Sequence, residues 1–185
     1  MRSLKEKITL DMIVIEDSLE ALALRSVLEC WQARVNLHLI ATSSDLTILL
    51  NKKQEQCVSS SIIILSCHGD KNGLCMPQLA PELIAAQPYK GNISAKQFSE
   101  FLFLPDCFVV NTGCLLGDDS FAKAFLNAGC KAYIGANSYP EGNATLFYLV
   151  NFFYEFICHG KSIVDAHSTA SKYDKDTQTF KLYQS

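Results

Sequence analysis

No stretch of this 185-residue sequence is apolar for long enough to cross a bilayer. The most apolar window, residues 144–158, is interrupted by Asn151 and Glu155, and a span needs about 20 apolar residues. The opening residues, MRSLKEKITLDM, carry charges and no apolar core of signal-peptide type, so no secretory leader is expected there. Charge of one sign is scarce too. The formal net charge is −3, with no basic run to follow a nucleic-acid backbone and no acidic tail. No two of the eight cysteines stand in C-x-x-C spacing, and no four-ligand pattern marks a zinc site. A disulfide framework is therefore not expected, and the cysteines read as reduced, mostly buried thiols of a cytoplasmic protein. No metal or cofactor is implied. Repeats and interdomain linkers are absent as well, so a single domain over residues 1–185 is expected.

What is present is a rhythm of apolar runs and amphipathic stretches. Residues 12–16 (MIVIE) form a continuous apolar run closed by Glu16-Asp17-Ser18, as a central parallel strand does. Leu24, Val27, Leu28 and Trp31 then make one helical stripe. Residues 35–41 alternate like a half-exposed strand, and Ser44 or Asp45 can cap a helix carrying Leu46, Leu49 and Leu50. A third strand runs over residues 62–67. Residues 70–92, with three prolines, lack any period and read as a long loop of functional or mobile character. Ser94 can cap a short helix bearing Phe98, Phe101 and Leu102, and residues 108–110 form strand four. Asp118 or Asp119 caps a helix with Phe121, Ala124, Phe125 and Ala128 on one face, stopped by Gly129. Strand five covers residues 133–136. A long aromatic helix follows over 142–159, with Leu146, Leu149, Val150, Phe153, Phe156 and Ile157 on its apolar side. Ser162 and Asp165 open a last helix, and the tail from Thr177 can add an edge strand. Strands alternating with helices imply crossovers and a mainly parallel sheet in an α/β three-layer sandwich, in the order 2-1-3-4-5 with five or six strands.

In that order strands three and four are neighbours, and the residues just past their ends share one edge of the sheet, where ligands of open α/β sheets bind. His68 follows strand three and Cys114 follows strand four. A thiol becomes a good nucleophile only on deprotonation, so a cysteine facing an imidazole fits nucleophilic catalysis with His68 as acid/base. The backbone N–H groups of Gly69 and Cys114 can hold an oxyanion, and a glycine leaves room for close approach. Cys67 precedes His68, so strand alternation turns it into the core. His38 reads as structural or exposed, His159 as a helix-end residue and His167 as packing.

The segments IIILSCHGD and VVNTGCLLGDDSFAKAFLNAGCKAYIGA resemble the two catalytic blocks of caspase-like cysteine peptidases, closest to the branch of the gingipains and the separase-related CHAT domains. HGKSIVDAH after the aromatic helix is similar as well. The separation of His68 and Cys114 agrees with the caspase-like spacing of about 50 residues, although Thr112-Gly113-Cys114 stands where caspases carry Gln-Ala-Cys. The resemblance implies a caspase-like fold and a cysteine endopeptidase with a His68–Cys114 dyad acting on a protein or peptide substrate. It also implies a primary pocket lined by the end of strand one, the residue before the cysteine turn and the loop after strand five. Those places hold Glu16 and Asp17, Thr112, and Ser138 to Glu141. An acidic lining from Asp17 or Glu141 favours cleavage after Arg or Lys, while Asp17 or Ser18 also suits a helix cap. A regulatory protein partner is expected to act through the 70–92 loop, which could cover the site.

Two other readings compete. The acidic pair after strand one, followed by an amphipathic helix, also resembles a response-regulator receiver. A receiver needs an aspartate at the end of strand three and a lysine after strand five; Ser66-Cys67-His68 and Asn137-Ser138 stand there. The third reading is a caspase-like interaction module without activity.

Overall fold

The computed structural model describes residues 7–16 and 19–185. In chain order the strands are β1 (Thr9–Ile15), β2 (Arg34–Ile40), β3 (Ile62–Ser66), a short hairpin of β4 (Gly69–Asp70) and β5 (Gly73–Leu74), then β6 (Phe108–Asn111), β7 (Ala132–Ala136) and β8 (Phe180–Gln184). The helices are α1 (Leu19–Cys30), α2 (Ser43–Leu49), α3 (Pro81–Ala85), α4 (Ala95–Phe101), α5 (Asp119–Asn127), α6 (Gly142–Phe153) and α7 (Ile163–Ala170). A π-helical turn, Tyr154–Cys158, prolongs α6.

The main sheet has the order β2-β1-β3-β6-β7-β8. Its first five strands are parallel and take the expected order; β8 adds a sixth strand, antiparallel to β7. β1, β3, β6 and β7 are buried almost throughout, which is why they read as continuous apolar runs rather than alternating ones. Side chains alternate between two cores. Ile13, Ile63, Leu65, Val109 and Tyr133 meet Leu46, Phe98 and Phe125 from α2, α4 and α5. On the other face Met12, Ile64, Val110 and Ile134 meet Leu24, Leu149, Phe152 and Ala166 from α1, α6 and α7. Each fully buried Leu, Ile or Phe of this kind contributes about 1.5–3 kcal/mol relative to exposure.

Several local expectations shift. The cap of α2 is Thr42, two residues before Ser44 and three before Asp45: its Oγ1 accepts from the Asp45 N–H at 3.1 Å and donates to the Asp45 carboxylate at 2.6 Å. Asp118 caps α5 by accepting from the Phe121 N–H at 2.9 Å, and Ser94 with Gln97 closes a capping box on α4. In α6 the fully buried residues are Tyr148, Phe152 and Phe153, and Leu146 and Val150 are only half-buried. Almost every position of that helix is apolar, so its pattern does not single out one stripe. The proposed cap at Asp17 or Ser18 lies outside the described residues.

The 70–92 segment is held rather than loose. Gly69 pairs with Leu74 in the hairpin, Leu74 bridges to Ile93, and the Ser43 hydroxyl donates to the Tyr89 carbonyl at 2.9 Å. Elements of two to five residues are too short to leave a period in sequence.

A buried carboxylate fastens the opposite end of the sheet. Asp11 is 1 % exposed. It accepts from the Ser59 N–H at 3.0 Å, the Ser60 N–H at 2.7 Å, the Ser60 hydroxyl at 2.6 Å and the Asn36 amide at 3.2 Å, and it pairs with His38 Nε2 at 2.8 Å. Burial alone would raise the Asp11 pKa, but the bonds from Ser60, His38 and Asn36 outweigh it and leave the carboxyl below its ordinary range. A folded-state pKa below the unfolded one gives stability that is present above the unfolded value of about 3.9 and lost as pH falls through the folded value. Asp11→Asn is therefore expected to cost about 3 kcal/mol at neutral pH and to lose less at pH 3, read from urea unfolding midpoints at the two pH values.

Candidate active site

The site forms where β3 and β6 end. Thr112 ties those ends together: its Oγ1 accepts from the Cys67 N–H at 3.1 Å and donates to the Cys67 carbonyl at 3.3 Å, while its N–H donates to the Leu65 carbonyl at 3.0 Å. Asn111, fully buried, accepts from the Gly113 N–H at 2.9 Å and from the Cys67 thiol at 3.3 Å. Cys67 thus faces the core, and burial drives its pKa far up.

Beyond Thr112 the chain makes a tight turn. Leu115 sits at φ 63°, in the left-handed region, which a branched residue rarely adopts. The turn is clamped on every side: the Leu115 N–H donates to the Ser138 carbonyl at 3.1 Å and the Gly117 N–H to the Ala136 carbonyl at 2.8 Å. From below, the hydroxyls of Tyr133 and Tyr183 donate to the Leu116 and Gly117 carbonyls at 2.6 Å and 2.9 Å. Strand β8 therefore serves the site, through Tyr183.

His68 and Cys114 line one cleft of about 190 Å³, together with Thr112, Glu20, Gly142 and Thr145. His68 is exposed and Cys114 half-buried. Among the described residues, neither the thiol nor the imidazole bonds to another side chain, so no thiolate–imidazolium pair is preformed. Burial pushes the Cys114 thiol up, its own backbone N–H pulls it down, and the Glu20 carboxylate adds to the rise. The balance favours the protonated thiol of Cys114.

Gly69 touches the turn directly. A Cβ there would collide with the Cys114 carbonyl oxygen and lie 2.7 Å from Leu116 Cγ, so only glycine permits this approach. The Cys75 N–H donates to the His68 carbonyl at 3.0 Å, and Gly69 stands opposite Leu74. Bonded and non-bonded pairs alternate in an antiparallel ladder, and Leu74 spends its own N–H and C=O on Ile93. The Gly69 N–H therefore points away from β5. The Cys114 N–H donates to no carbonyl among the described residues.

The acidic group in the cleft is one that sequence reasoning missed. Asp17 lies outside the described residues. Glu141 is exposed at the cap of α6 and does not line the cleft, whereas its neighbour Gly142 does. Glu20, in the first turn of α1, lines it, and a Cβ on Gly142 would collide with the Glu20 carboxylate. Packing of α1 against α6 makes this meeting, and nothing in the spacing of Glu20 and Gly142 announces it. No residue of the 70–92 segment lines the cleft. The expected cover instead stands beside it, because the His68–Cys75 bond turns the chain back and Ser43 draws Tyr89 toward α2. Of the other histidines, His38 pairs with Asp11, His159 with Glu155 at 2.8 Å, and His167 bonds the Tyr148 hydroxyl at 2.7 Å; all three are structural.

Comparison with solved structures bears on the fold. The Arg-specific cysteine proteinase gingipain R superposes with a TM-score of 0.57 at 11% identity, over 95% of this chain and 45% of that one. The fold is that of the caspase-like cysteine peptidases. The complex of the Porphyromonas gingivalis RgpB pro- and mature domains gives a TM-score of 0.58 at 11% identity, covering 96% of this chain and 47% of that one. A secreted C11 cysteine protease from Bacteroides thetaiotaomicron, in complex with an irreversible peptide inhibitor, gives 0.55 at 11% identity, covering 96% and 66%. This chain spans about half the length of the gingipain chains it matches. Neither a protein-family profile nor a curated protein matches it in sequence. Among the described residues no helix is long and apolar enough to cross a membrane.

Proposed function

We propose that this chain is a cysteine endopeptidase that cleaves after Arg or Lys. The observation that carries the reading is the joint lining of one cleft by Cys114, His68 and Glu20. Glu20 takes the guanidinium or ammonium of the residue before the scissile bond. Cys114 Sγ attacks the carbonyl carbon while its proton passes to His68, and the oxyanion is held by the N–H groups of Gly69 and Cys114. His68 then protonates the leaving amine, the C–N bond breaks, and a thioester remains on Cys114. Water, deprotonated by His68, hydrolyses the thioester and restores the thiol. Thr112 acts by holding the two strand ends in register. The eight unpaired thiols favour a reducing, cytoplasmic setting for this chemistry.

The raised thiol pKa suits a site that waits for its substrate. A bound cation neutralises Glu20 and removes one of the charges opposing ionisation of Cys114. Alkylation of Cys114 by iodoacetamide is expected to show an apparent pKa above the ordinary cysteine value of about 8.5. Addition of a small guanidinium compound that leaves the thiol accessible should lower it. Rates measured from pH 6 to 10, with the adduct located by peptide mass mapping, check both statements. An apparent pKa below the ordinary value would instead mean a preformed ion pair with His68.

The reading as a whole is tested with an arginyl or lysyl acyloxymethyl ketone. Covalent labelling of the wild type and none of Cys114→Ala is expected. An unlabelled wild type would favour the interaction-module reading.

A further inference from the structure

Next to the cleft lies a void of about 10 Å³, room for about one water. Most of its wall is apolar: Met12, Ala21, Leu24, Ile64 and Leu149. Its collar is polar, because Glu20, Ser66 and Thr112 line both the void and the cleft. A space this small brings the groups around it within reach of one bound group. Ser66 is the last residue of β3 and pairs with Val14 of β1. Ile64 and Val14 pack in the core under α1 and α6, so two-residue alternation turns Ser66 to the face that Glu20 shares. Ser66 is 9 % exposed, and its hydroxyl bonds to no group among the described residues. Asn111 Nδ2 is the one described side-chain polar atom that is both sealed from solvent and unbonded. The Ser66 oxygen is therefore not sealed, and it opens on the cleft that Ser66 lines. The other hydroxyls there are occupied. Thr112 holds the Cys67 backbone, and the Thr145 hydroxyl donates to the Glu141 carbonyl at 3.4 Å.

Resting on the peptidase reading above, we infer that Ser66 is a second acceptor in the pocket for the residue before the scissile bond, and that it tilts the choice to Arg over Lys. A guanidinium presents five N–H donors in a flat fork. A carboxylate such as Glu20 takes two of them side by side, and the apolar walls of the void offer the others no partner. Ser66 Oγ, at the same collar, accepts one of those left over. An ammonium is compact and has three donors. Glu20 and water in the open part of the cleft satisfy it without Ser66. Loss of the hydroxyl therefore strands a donor of Arg and none of Lys. The void also sets the depth. It has no room for a guanidinium, so the charged end of the side chain halts at the collar, beside Glu20 and Ser66.

The test uses a pair of peptidyl coumarin amides that differ only in Arg or Lys before the scissile bond. The wild type is expected to favour Arg by about tenfold in kcat/KM, the size of one hydrogen bond to a charged group. Ser66→Ala should bring the pair close to parity, through a loss on the Arg amide. Ser66→Thr keeps the hydroxyl and should keep the preference. Each ratio is taken within one protein, so a general loss of activity cancels. A further measurement needs no variant: butylguanidine should inhibit wild-type cleavage of the Arg amide at lower concentration than butylamine does. Wild-type cleavage after Lys as fast as after Arg would overturn the inference alone. So would equal inhibition by the two small cations, or an Arg preference that Ser66→Ala leaves intact. No cleavage of either amide, nor of any peptide at a basic residue, would overturn the peptidase reading and the inference with it.

Discussion

Cys114→Ala is expected to lower kcat/KM for an Arg or Lys peptide by about 10⁴-fold or more, into the background of the assay. The size follows from the role. With the sulfur gone no thioester forms, and only binding and the oxyanion N–H groups remain to help water attack. His68→Ala should cost about 10³-fold, because the thiol keeps a small ionised fraction at neutral pH and alkaline solution can restore some of it. The two substitutions act on one unit, so the double variant should be no worse than Cys114→Ala alone. Initial rates against a peptide library, with folding checked by circular dichroism, decide the matter. Undiminished hydrolysis in Cys114→Ala would remove the assigned nucleophile, and a receiver-like or scaffold role would then have to be sought.

Glu20→Gln carries the second large effect, and it has two signs. Hydrolysis after Arg should fall by about 50-fold, the loss of one charge-assisted contact in a partly enclosed cleft. Cleavage after uncharged residues should change little. Alkylation of Cys114 by neutral iodoacetamide should meanwhile become faster at pH 7, because the substitution removes a carboxylate that opposes ionisation of the thiol. A general disturbance of the site would slow both reactions. A fall in peptide hydrolysis with slower alkylation would therefore place Glu20 in a structural role, and the cation-binding group would have to be sought elsewhere around the cleft.

The parallel order of the first five strands was legible because buried strands leave unbroken apolar runs and crossover helices leave stripes, as at residues 12–15 and at Leu24 and Leu28. The placement of His68 and Cys114 on neighbouring ends then followed from topology. The shortest segments were not legible, and the buried face of α6 was legible only in part: Leu149 and Phe153 were expected on it, Tyr148 and Phe152 were not. The β4–β5 hairpin has no length in which to show a period, and α6 carries too few polar residues to orient it. The clamp on the Cys114 turn was hidden for another reason: Tyr133 and Tyr183 look like core and edge residues until β8 docks on β7.

The chain's own order of residues decides the chemistry available at the strand ends: an imidazole, a sulfur and a glycine, each set by local alternation of strand and turn. Which charge shares the cleft with them is decided elsewhere. Asp17, Glu20 and Glu141 differ little as letters, and only the docking of α1 on α6 brings Glu20 against Gly142 and into the opening. Backbone pattern is written locally, in periods of two and 3.6 residues, whereas a pocket wall is assembled from helices whose contact depends on how whole layers pack.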